Sequence, residues 1–419
     1  MRVKRWLLLA TFGVVLISVG ALGVALIANM VIFDLLGDVN NFFRLHMGRP
    51  VTAVVVPLGL ALIIAGVLCL ALGIRGVVHS ITSVISPQSQ KRLADVVFRK
   101  RYLQHGINIV VVGGGTGLST MLRGLKEYTS NITAIVTVAD DGGSSGRLQK
   151  EFGMLPPGDI RNCLVALADT EPLMQEVFQH RFNGQADGLS GHSLGNLLLA
   201  ALTQLRQGDF ECAVKDAARV LAVRGSVLPS TVERVALEAE LADGRRISGE
   251  SNIGHAPEPP ARVWLAPEAP KAVPGALAAI ANADIIVLGP GSVYTSVIPN
   301  LLIPEIAEAI SRSRALKVYI CNVMTQPGET QGYTAFQHME TIARHAGRRV
   351  FDYVLVNDRV PRTDLLAKYE VKGQTMVSPD VEHIRRQGYK CIVGDFISET
   401  NLVRHDPEKL ARAIAGLVD

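Results

Sequence analysis

An apolar run that breaks into a cluster of glycines constrains the fold of this chain more than any other feature. Residues Ile109–Val112 lead directly into Gly113–Gly117, and an amphipathic segment, Leu118–Leu125, follows. This order is typical of a buried strand, a tight turn and the start of a helix, where unpaired backbone N–H groups and the helix dipole favour a phosphate. The sequence therefore predicts an α/β unit with an anion site at the carboxyl end of this strand.

A second apolar run, Ile132–Val138, ends in a segment that combines carboxylates, glycines and an arginine, Asp140–Arg147. We expect this segment to form a loop that faces a ligand. Asp140 and Asp141 stand where dinucleotide enzymes place a ribose-binding acid, but the pair could instead hold Mg²⁺ against a diphosphate. A third interpretation is a helix cap that faces solvent and binds no ligand.

Further apolar runs alternate with segments of helical period, which favours a parallel sheet covered by helices on both faces. The stretch 157–224 interrupts the alternation with an almost wholly helical pattern, and we expect it to form a helical lobe beside the sheet. Behind it, Val235–Ala242 and Arg246–Ser248 flank an Asp-Gly pair and predict a hairpin. The other predicted strands are Ile285–Leu288, Lys317–Cys321, Tyr353–Val356 and Cys391–Val393.

Two long apolar spans without charged residues, Trp6–Phe33 and Val51–Ile74, precede the α/β unit. Each is long enough to cross roughly 30 Å of hydrocarbon as a helix. Basic residues precede the first span and follow the second, so the positive-inside rule places both chain ends in the cytoplasm. We therefore expect a two-pass hairpin over residues 1–79 in the inner or plasma membrane, a basic linker over 80–106, and a cytoplasmic domain over 107–419.

Charge and cysteine content exclude several classes of function. The net charge of +4 comes largely from basic residues beside the apolar spans, and no basic stripe with interleaved aromatic residues follows, so we expect a lipid bilayer but no nucleic acid as a partner. The five cysteines are scattered without a CxxC pair, which argues against a disulfide framework and a zinc site. Nothing ionisable lies inside the spans, so transport through them has no support.

Polar side chains follow nearly every predicted strand, and we expect them to line one pocket at the carboxyl edge of the sheet. The turn Gly289–Ser292 is typical of a second phosphate cradle, while Tyr369 and Arg404 could stack on a base and pair with a phosphate. Tight turns, caps and ordinary surface residues are the alternatives. Leu118 breaks a dinucleotide fingerprint, and Gly191–Gly195 follows no strand as a nucleophile elbow would. The candidate ligand-binding residues are Gly113, Gly114, Gly115, Thr116, Gly117, Asp140, Asp141, Gly142, Ser144, Arg161, Asn162, His192, Asn196, Gly289, Gly291, Ser292, Asn322, Tyr369 and Arg404.

Six separated sequence blocks, taken in order, carry a family resemblance. They are Val-Val-Gly-Gly-Gly-Thr-Gly-Leu-Ser at 111–119, Asp-Asp-Gly-Gly-Ser-Ser-Gly-Arg-Leu at 140–148, Pro-Pro-Gly-Asp-Ile-Arg-Asn at 156–162, Gly-His-Ser-Leu-Gly-Asn at 191–196, Gly-Pro-Gly-Ser at 289–292 and Cys-Asn-Val-Met-Thr-Gln-Pro-Gly-Glu-Thr at 321–330. Over residues 107–419 the chain resembles the gluconeogenesis-factor (YvcK-like) family, which is similar in fold to 2-phospho-L-lactate transferase (CofD-like). The apolar spans are a departure, because the usual cytosolic members lack them.

The resemblance implies a Rossmann-like α/β fold that binds a nucleotide sugar such as UDP-N-acetylglucosamine. It also implies a regulatory role that links carbon metabolism to cell-wall synthesis and cell shape. Cell-wall or regulatory proteins and a second copy of the chain are the further partners that we expect. The alternative is an enzyme that transfers a phospholactyl-type group from an activated nucleotide, and no catalytic residue is assigned for it. The pocket residues that the resemblance implies are Gly114, Thr116, Asp140, Asp141, Asn196, Gly291, Ser292 and Asn322.

Overall fold

The structure is a computed structural model that divides into two compact units, Met1–Arg99 and Lys100–Asp419. It describes residues 2–32, 41–42, 44–46, 48, 50–85, 103–169, 172–183, 188–399 and 402–418. Most of the predicted basic linker, from residue 86 to 102, therefore lies outside the described residues, as does most of the connection between the two apolar spans.

The first unit consists of two long helices, α1 (Arg2–Ile32) and α2 (Val51–Ile85), and α2 continues into the start of the predicted linker. Both are long and apolar enough to cross a membrane, with mean hydropathies of 2.4 over Lys4–Ile27 and 2.8 over Thr52–Ser80. Their apolar side chains are largely exposed, since only 11% of each span is buried. Length and composition therefore agree with the predicted spans.

Glycines let the two helices approach closely. A Cβ on Gly13 would lie 2.7 Å from the carbonyl oxygen of Gly66, and one on Gly20 would lie 2.6 Å from that of Gly59. The two glycines of each helix are seven positions apart, a spacing that returns them to one face. Small residues in this pattern are typical of helix packing in membranes, and the sequence already contained the signal.

The second unit is built on a wholly parallel sheet of seven strands in the order β10-β9-β8-β7-β1-β2-β3. Every predicted strand of this sheet is present, so the Rossmann-like α/β fold is confirmed. The edge strand β3 was not predicted, because its four residues end in a proline and carry little pattern. The strands are β1 (Ile109–Gly113), β2 (Ile132–Val136), β3 (Ser226–Pro229), β7 (Ile285–Leu288), β8 (Leu316–Ile320), β9 (Tyr353–Asn357) and β10 (Lys390–Gly394).

Two smaller sheets accompany the main one. The predicted hairpin is confirmed as β4 and β5, which pair antiparallel, and β6 completes a three-stranded sheet in the order β5-β4-β6. The pair β11 and β12 forms a separate two-stranded sheet. These strands are β4 (Ala236–Glu240), β5 (Arg246–Ser248), β6 (Arg262–Ala266), β11 (Ile397–Glu399) and β12 (Val403–His405).

Helices fill most connections, and the expected helical lobe is formed by α5 to α8. One prediction is wrong: Asp140–Arg147 is not a loop throughout, because α4 begins at Gly143. The helices of this unit are α3 (Gly115–Leu125), α4 (Gly143–Phe152), α5 (Gly158–Leu167), α6 (Pro172–Gln179), α7 (Leu194–Leu205), α8 (Phe210–Val220), α9 (Glu250–Ile253), α10 (Pro274–Ala281), α11 (Ile298–Leu301, after a π-helical turn at Val293–Val297), α12 (Pro304–Arg312), α13 (Ala335–Ala346), α14 (Thr363–Glu370), α15 (Val381–Arg386) and α16 (Pro407–Ala415).

The strand order positions the site. From β1 the chain proceeds outward through β2 to β3, and it later returns to β7 on the other side of β1 before it continues to β10. The strands β1 and β7 pair from Ile109 with Ile285 to Val112 with Leu288 and are buried along their length. In open parallel sheets the crevice at such a reversal, outside the carboxyl ends of the strands, is where ligands bind.

Candidate functional site

A cavity of about 560 Å³ opens at this reversal point. Its walls come from the segments after β1, β2, β7 and β8, from α14 and from the strand β12. The lining residues are Gly114, Gly115, Thr116, Gly117, Thr120, Thr137, Asp140, Asp159, Glu250, Pro290, Gly291, Ser292, Thr295, Ser296, Asn322, Val323, Met324, Gln326, Tyr369, Gln374, Leu402, Val403, Arg404 and His405.

The two glycine turns touch each other at the base of this cavity. A Cβ on Gly117 would lie 2.6 Å from the carbonyl oxygen of Pro290, and one on Gly291 would lie 3.3 Å from the oxygen of Gly114. Gly115 has a φ of 68°, which disfavours a side chain there. Glycine is therefore required at Gly117, whereas a side chain at Gly291 would need its neighbours to move by a few tenths of an ångström.

The structure brings together about half of the predicted site residues. Those that line the cavity are Gly114, Gly115, Thr116, Gly117, Asp140, Gly291, Ser292, Asn322, Tyr369 and Arg404. Gly113 lies at the end of β1 and Gly289 directly after β7, so both support the turns from behind. The predicted residues that do not line the cavity are Asp141, Gly142, Ser144, Arg161, Asn162, His192 and Asn196.

Among the described residues, backbone N–H groups without a hydrogen-bond partner are present in both turns. The amides of Thr116 and Gly117 belong to the first turn of α3, where no residue of the helix can accept their hydrogen bonds. Within the described part of the chain, the amides of Gly291 and Ser292 donate no hydrogen bond. These four groups lie on both sides of the contact between the turns and could hold a diphosphate.

The adjacent carboxylates Asp140 and Asp141 face different surroundings. Asp140 lines the cavity, and its Oδ1 accepts a hydrogen bond from the Gly142 N–H at 2.9 Å. Asp141 accepts one from the Ser251 N–H at 2.9 Å, at the start of α9. Among the residues that the structure describes, no three acidic, histidine or cysteine side chains form a metal cluster. A Mg²⁺ ion here would therefore bind Asp140 and take its other ligands from water and phosphate oxygens.

Burial and mutual repulsion change the acidity of the lining carboxyls. Burial, with a further contribution from Asp140, raises the pKa of Asp159 to about 6, although the Gly115 N–H opposes the shift. Burial and then Asp140 and Glu329 raise the pKa of Glu250 to about 7. Among the lining residues that are described, Arg404 is the only lysine or arginine. The cavity therefore carries more negative than positive charge above neutral pH.

Two carboxamides and an aromatic ring form another part of the lining. Gln326 Nε2 donates to Ser292 Oγ at 2.7 Å, and Asn322 Nδ2 lies 3.5 Å from Gln326 Oε1. The Tyr369 hydroxyl donates to the Val403 carbonyl at 3.1 Å and accepts from the Val403 N–H at 3.0 Å. These bonds fix the Tyr369 ring against β12, where carboxamides and an aromatic ring together could contact a base.

Arg161 does not reach the cavity but anchors a buried network behind it. The residue is 6% exposed, and its Nη1 donates to Ser193 Oγ and, at 3.1 Å, to Asn196 Oδ1. Its Nη2 donates to Asn162 Oδ1 at 2.8 Å. Burial lowers the pKa of Arg161 to about 10. The guanidinium therefore holds α5 and α7 together through neutral acceptors.

A serine–histidine contact belongs to the same network. Ser144 Oγ lies 2.8 Å from His192 Nδ1 and accepts a hydrogen bond from Asn196 Nδ2 at 3.0 Å. Burial, followed by the charge of Arg147, lowers the pKa of His192. Neither Ser144 nor His192 lines the cavity. Their contact instead connects α4 to the segment that leads into α7.

The sequence pattern missed several lining residues. Asp159 lies in the block at 156–162, but an acidic residue near a predicted helix start is equally typical of a simple cap. Glu250 had no signal, because it opens a helix of four residues after a hairpin whose position only the folded chain reveals. Gln326 belongs to the polar segment after β8 but was not chosen. For each of these residues the position in space, and not the local pattern, identifies the role.

Known proteins are similar to this chain in both sequence and fold. The family described as 2-phospho-L-lactate transferase CofD matches residues 109–397. A putative gluconeogenesis factor from Nostoc sp. is 49% identical over 98% of this chain and 90% of its own length. The gluconeogenesis factor of Bacillus subtilis is 49% identical over 74% of this chain and 98% of its own length. The chain belongs to the CofD family, among the gluconeogenesis factors.

A crystal structure from Bacillus halodurans shares the fold of this gluconeogenesis-factor unit, with 50% identity, a TM-score of 0.72, and coverage of 74% of this chain and 99% of that one. The match to the Nostoc protein covers so much of this chain that it extends into both apolar helices. The Bacillus subtilis match spans 311 residues, which is a smaller share of this chain.

The buried network makes a testable prediction about stability. The substitution Arg161→Met keeps much of the side-chain volume but leaves the acceptors of Ser193, Asn196 and Asn162 without their donor. We expect the free energy of unfolding to decrease by about 2–4 kcal/mol. Urea unfolding followed by circular dichroism measures it. Arg206→Met, which removes an exposed arginine paired with Asp216, is the control and should cost less than about 1 kcal/mol; equal losses would contradict the prediction.

Proposed function

We propose that this protein binds a nucleoside diphosphate sugar, UDP-N-acetylglucosamine or a close relative, in the cavity between β1 and β7. The observation that carries the proposal is the contact of two glycine turns from neighbouring parallel strands at the floor of one cavity. A volume of about 560 Å³ lies in the range of small-molecule sites. The family resemblance supports this class of ligand.

The chemistry of the walls suggests how such a ligand would lie. The diphosphate would accept hydrogen bonds from the amides of Thr116, Gly117, Gly291 and Ser292, because unpaired N–H groups at a helix start and in a glycine turn attract anions. Arg404 would offset part of the charge, and Mg²⁺ held by Asp140 would offset more. The base would contact the wall of carboxamides around the Tyr369 ring.

We favour binding without turnover, as expected of a regulator that links carbon metabolism to cell-wall synthesis and cell shape. No described lining serine, threonine or cysteine is hydrogen-bonded to a histidine base. The CofD family match favours the alternative, a transferase of a phospholactyl-type group. Formation of product from a deazaflavin acceptor, an activated nucleotide donor and Mg²⁺ would establish the alternative.

The two apolar helices would tether this regulator to the inner or plasma membrane with its ligand domain in the cytoplasm. Support comes from their length, their exposed apolar surface and the basic residues that flank them. Such a tether would hold the sensor near cell-wall enzymes or regulatory proteins, and a second copy of the chain could join it there. The full chain is therefore the form to study.

Binding is tested by calorimetry on the full chain in detergent micelles. We expect UDP-N-acetylglucosamine to release heat at a single site, and Arg404→Ala to weaken binding about tenfold because it removes the arginine of the lining. Arg206→Ala, which changes an arginine on the helical lobe, is the matched control and should leave the affinity unchanged. Absence of heat with every UDP-sugar tried would remove the proposal.

The affinity for UDP-N-acetylglucosamine should fall as the pH rises, because carboxyl groups in the lining become negatively charged. Below a pKa of about 6 for Asp159 and about 7 for Glu250 both groups are neutral, and each becomes an anion as the pH rises through its pKa. In EDTA we therefore expect UDP-N-acetylglucosamine to bind more weakly at about pH 8.5 than at about pH 5.5. Calorimetry across this range measures it, and Glu250→Gln should flatten the profile. A profile that rises in EDTA would contradict the expectation.

Membrane attachment is tested by extraction. Full-length protein should remain in the membrane pellet after treatment with alkaline carbonate, because two spans each bury apolar surface that water would otherwise contact. A chain that starts at residue 103 should stay in the supernatant and serves as the control. Release of the full chain by carbonate would show that the helices do not span the bilayer.

A further inference from the structure

Asp159 binds a backbone amide directly beside those expected to hold the ligand. From the first turn of α5, its carboxylate extends to the start of α3, where Oδ2 accepts a hydrogen bond from the Gly115 N–H at 2.6 Å. A carboxylate at a helix start gains the same interaction with N–H groups and the helix dipole that a phosphate would gain. Part of the anion site in the first glycine turn is therefore already filled by the protein itself.

The carboxylate is also pressed against the turn and faces the cavity. A Cβ on Gly114 would lie 2.7 Å from Asp159 Oδ2, so the glycine leaves only enough room for this oxygen. The carboxyl group lines the same cavity as the free amides of Thr116 and Gly117. A diphosphate on those amides would therefore lie beside a fixed negative charge.

A comparison within the molecule shows that this exposure to the cavity is particular to Asp159. The π-helical turn that follows the second glycine turn is also capped by a carboxylate, since Glu329 accepts hydrogen bonds from the Tyr294 N–H at 3.2 Å and from Thr295 Oγ1 at 3.1 Å. Glu329, however, is only 3% exposed and does not line the cavity. It serves as an internal cap, whereas Asp159 competes for the space and the amides that an anion would use.

We propose that Asp159 is a built-in competitor of the ligand's diphosphate. In the empty cavity its carboxylate holds the Gly115 amide, and an incoming diphosphate must bind against that charge or displace it. Asp140 and Glu250 add negative charge on the facing elements, while Arg161 lies behind Asp159 on its own helix. The competition keeps affinity low enough for the ligand to leave when its concentration falls, as a sensor requires. This inference rests on the proposed function.

The test is the variant Asp159→Asn, whose side-chain oxygen can still accept the Gly115 hydrogen bond but carries no charge. Calorimetry on the full chain in EDTA, at about pH 8, compares UDP-N-acetylglucosamine and inorganic pyrophosphate as probes. We expect the variant to bind both about tenfold more tightly than the wild type, because a like charge beside the diphosphate is removed. If this variant does not fold, Asp159→Ser supplies a neutral acceptor instead.

The control is Asp209→Asn, which neutralises a carboxylate that caps the start of α8 by accepting the Cys212 N–H at 2.9 Å. It should leave both affinities unchanged. Equal or weaker binding of both probes by Asp159→Asn would overturn the inference, and so would an absence of pyrophosphate binding in that variant. If neither protein binds the UDP-sugar but the variant binds pyrophosphate more tightly, the inference stands and the choice of ligand in the proposed function fails.

Discussion

The contact between two glycine turns, at the point where the strand order reverses, is the constraint on which the site depends. Gly117 approaches the Pro290 carbonyl at a distance that leaves no room for a side chain, and Gly291 approaches the Gly114 carbonyl closely. Because β1 and β7 are buried neighbours in register, the ends of both strands are fixed, and the turns must meet. The free amides and the cavity above them follow from that meeting.

The backbone amides at this contact favour an anion, whereas the side chains around them are mostly acidic. Amides at the start of α3 and in the turn after β7 favour an anion, yet Asp140, Asp159 and Glu250 line the same cavity. A site built only for tight anion binding would carry several arginines, as bidentate partners of phosphate. A balance of amides and carboxylates instead suits a ligand that arrives with a cation, or one that must leave readily. Reversible sensing fits this chemistry better than tight capture.

Much of the architecture could be predicted from local pattern. Ile109–Val112 and Ile285–Leu288 are continuous apolar runs because both faces of the strands are covered, and such runs are visible in any sequence. Side-chain direction was harder to predict. Asp140 and Asp141 are adjacent, but one faces the cavity and the other the start of α9. The polar network around Arg161 likewise joins α4, α5 and the start of α7, which are separated in the sequence. In the sequence alone, its polar residues could not be told apart from residues that contact a ligand.

The sequence by itself determined the parallel sheet, the two apolar helices and the glycine turns, since each depends on the order of neighbouring residues along the chain. Only the tertiary structure decided which polar residues share a cavity and that Asp159 caps the first glycine turn. The strand reversal brings together the segments after β1 and β7, whose paired residues, such as Ile109 and Ile285, are 176 positions apart in the sequence. Burial then raises the pKa of Asp159 and of Glu250, and burial cannot be predicted from the positions of these residues in the sequence.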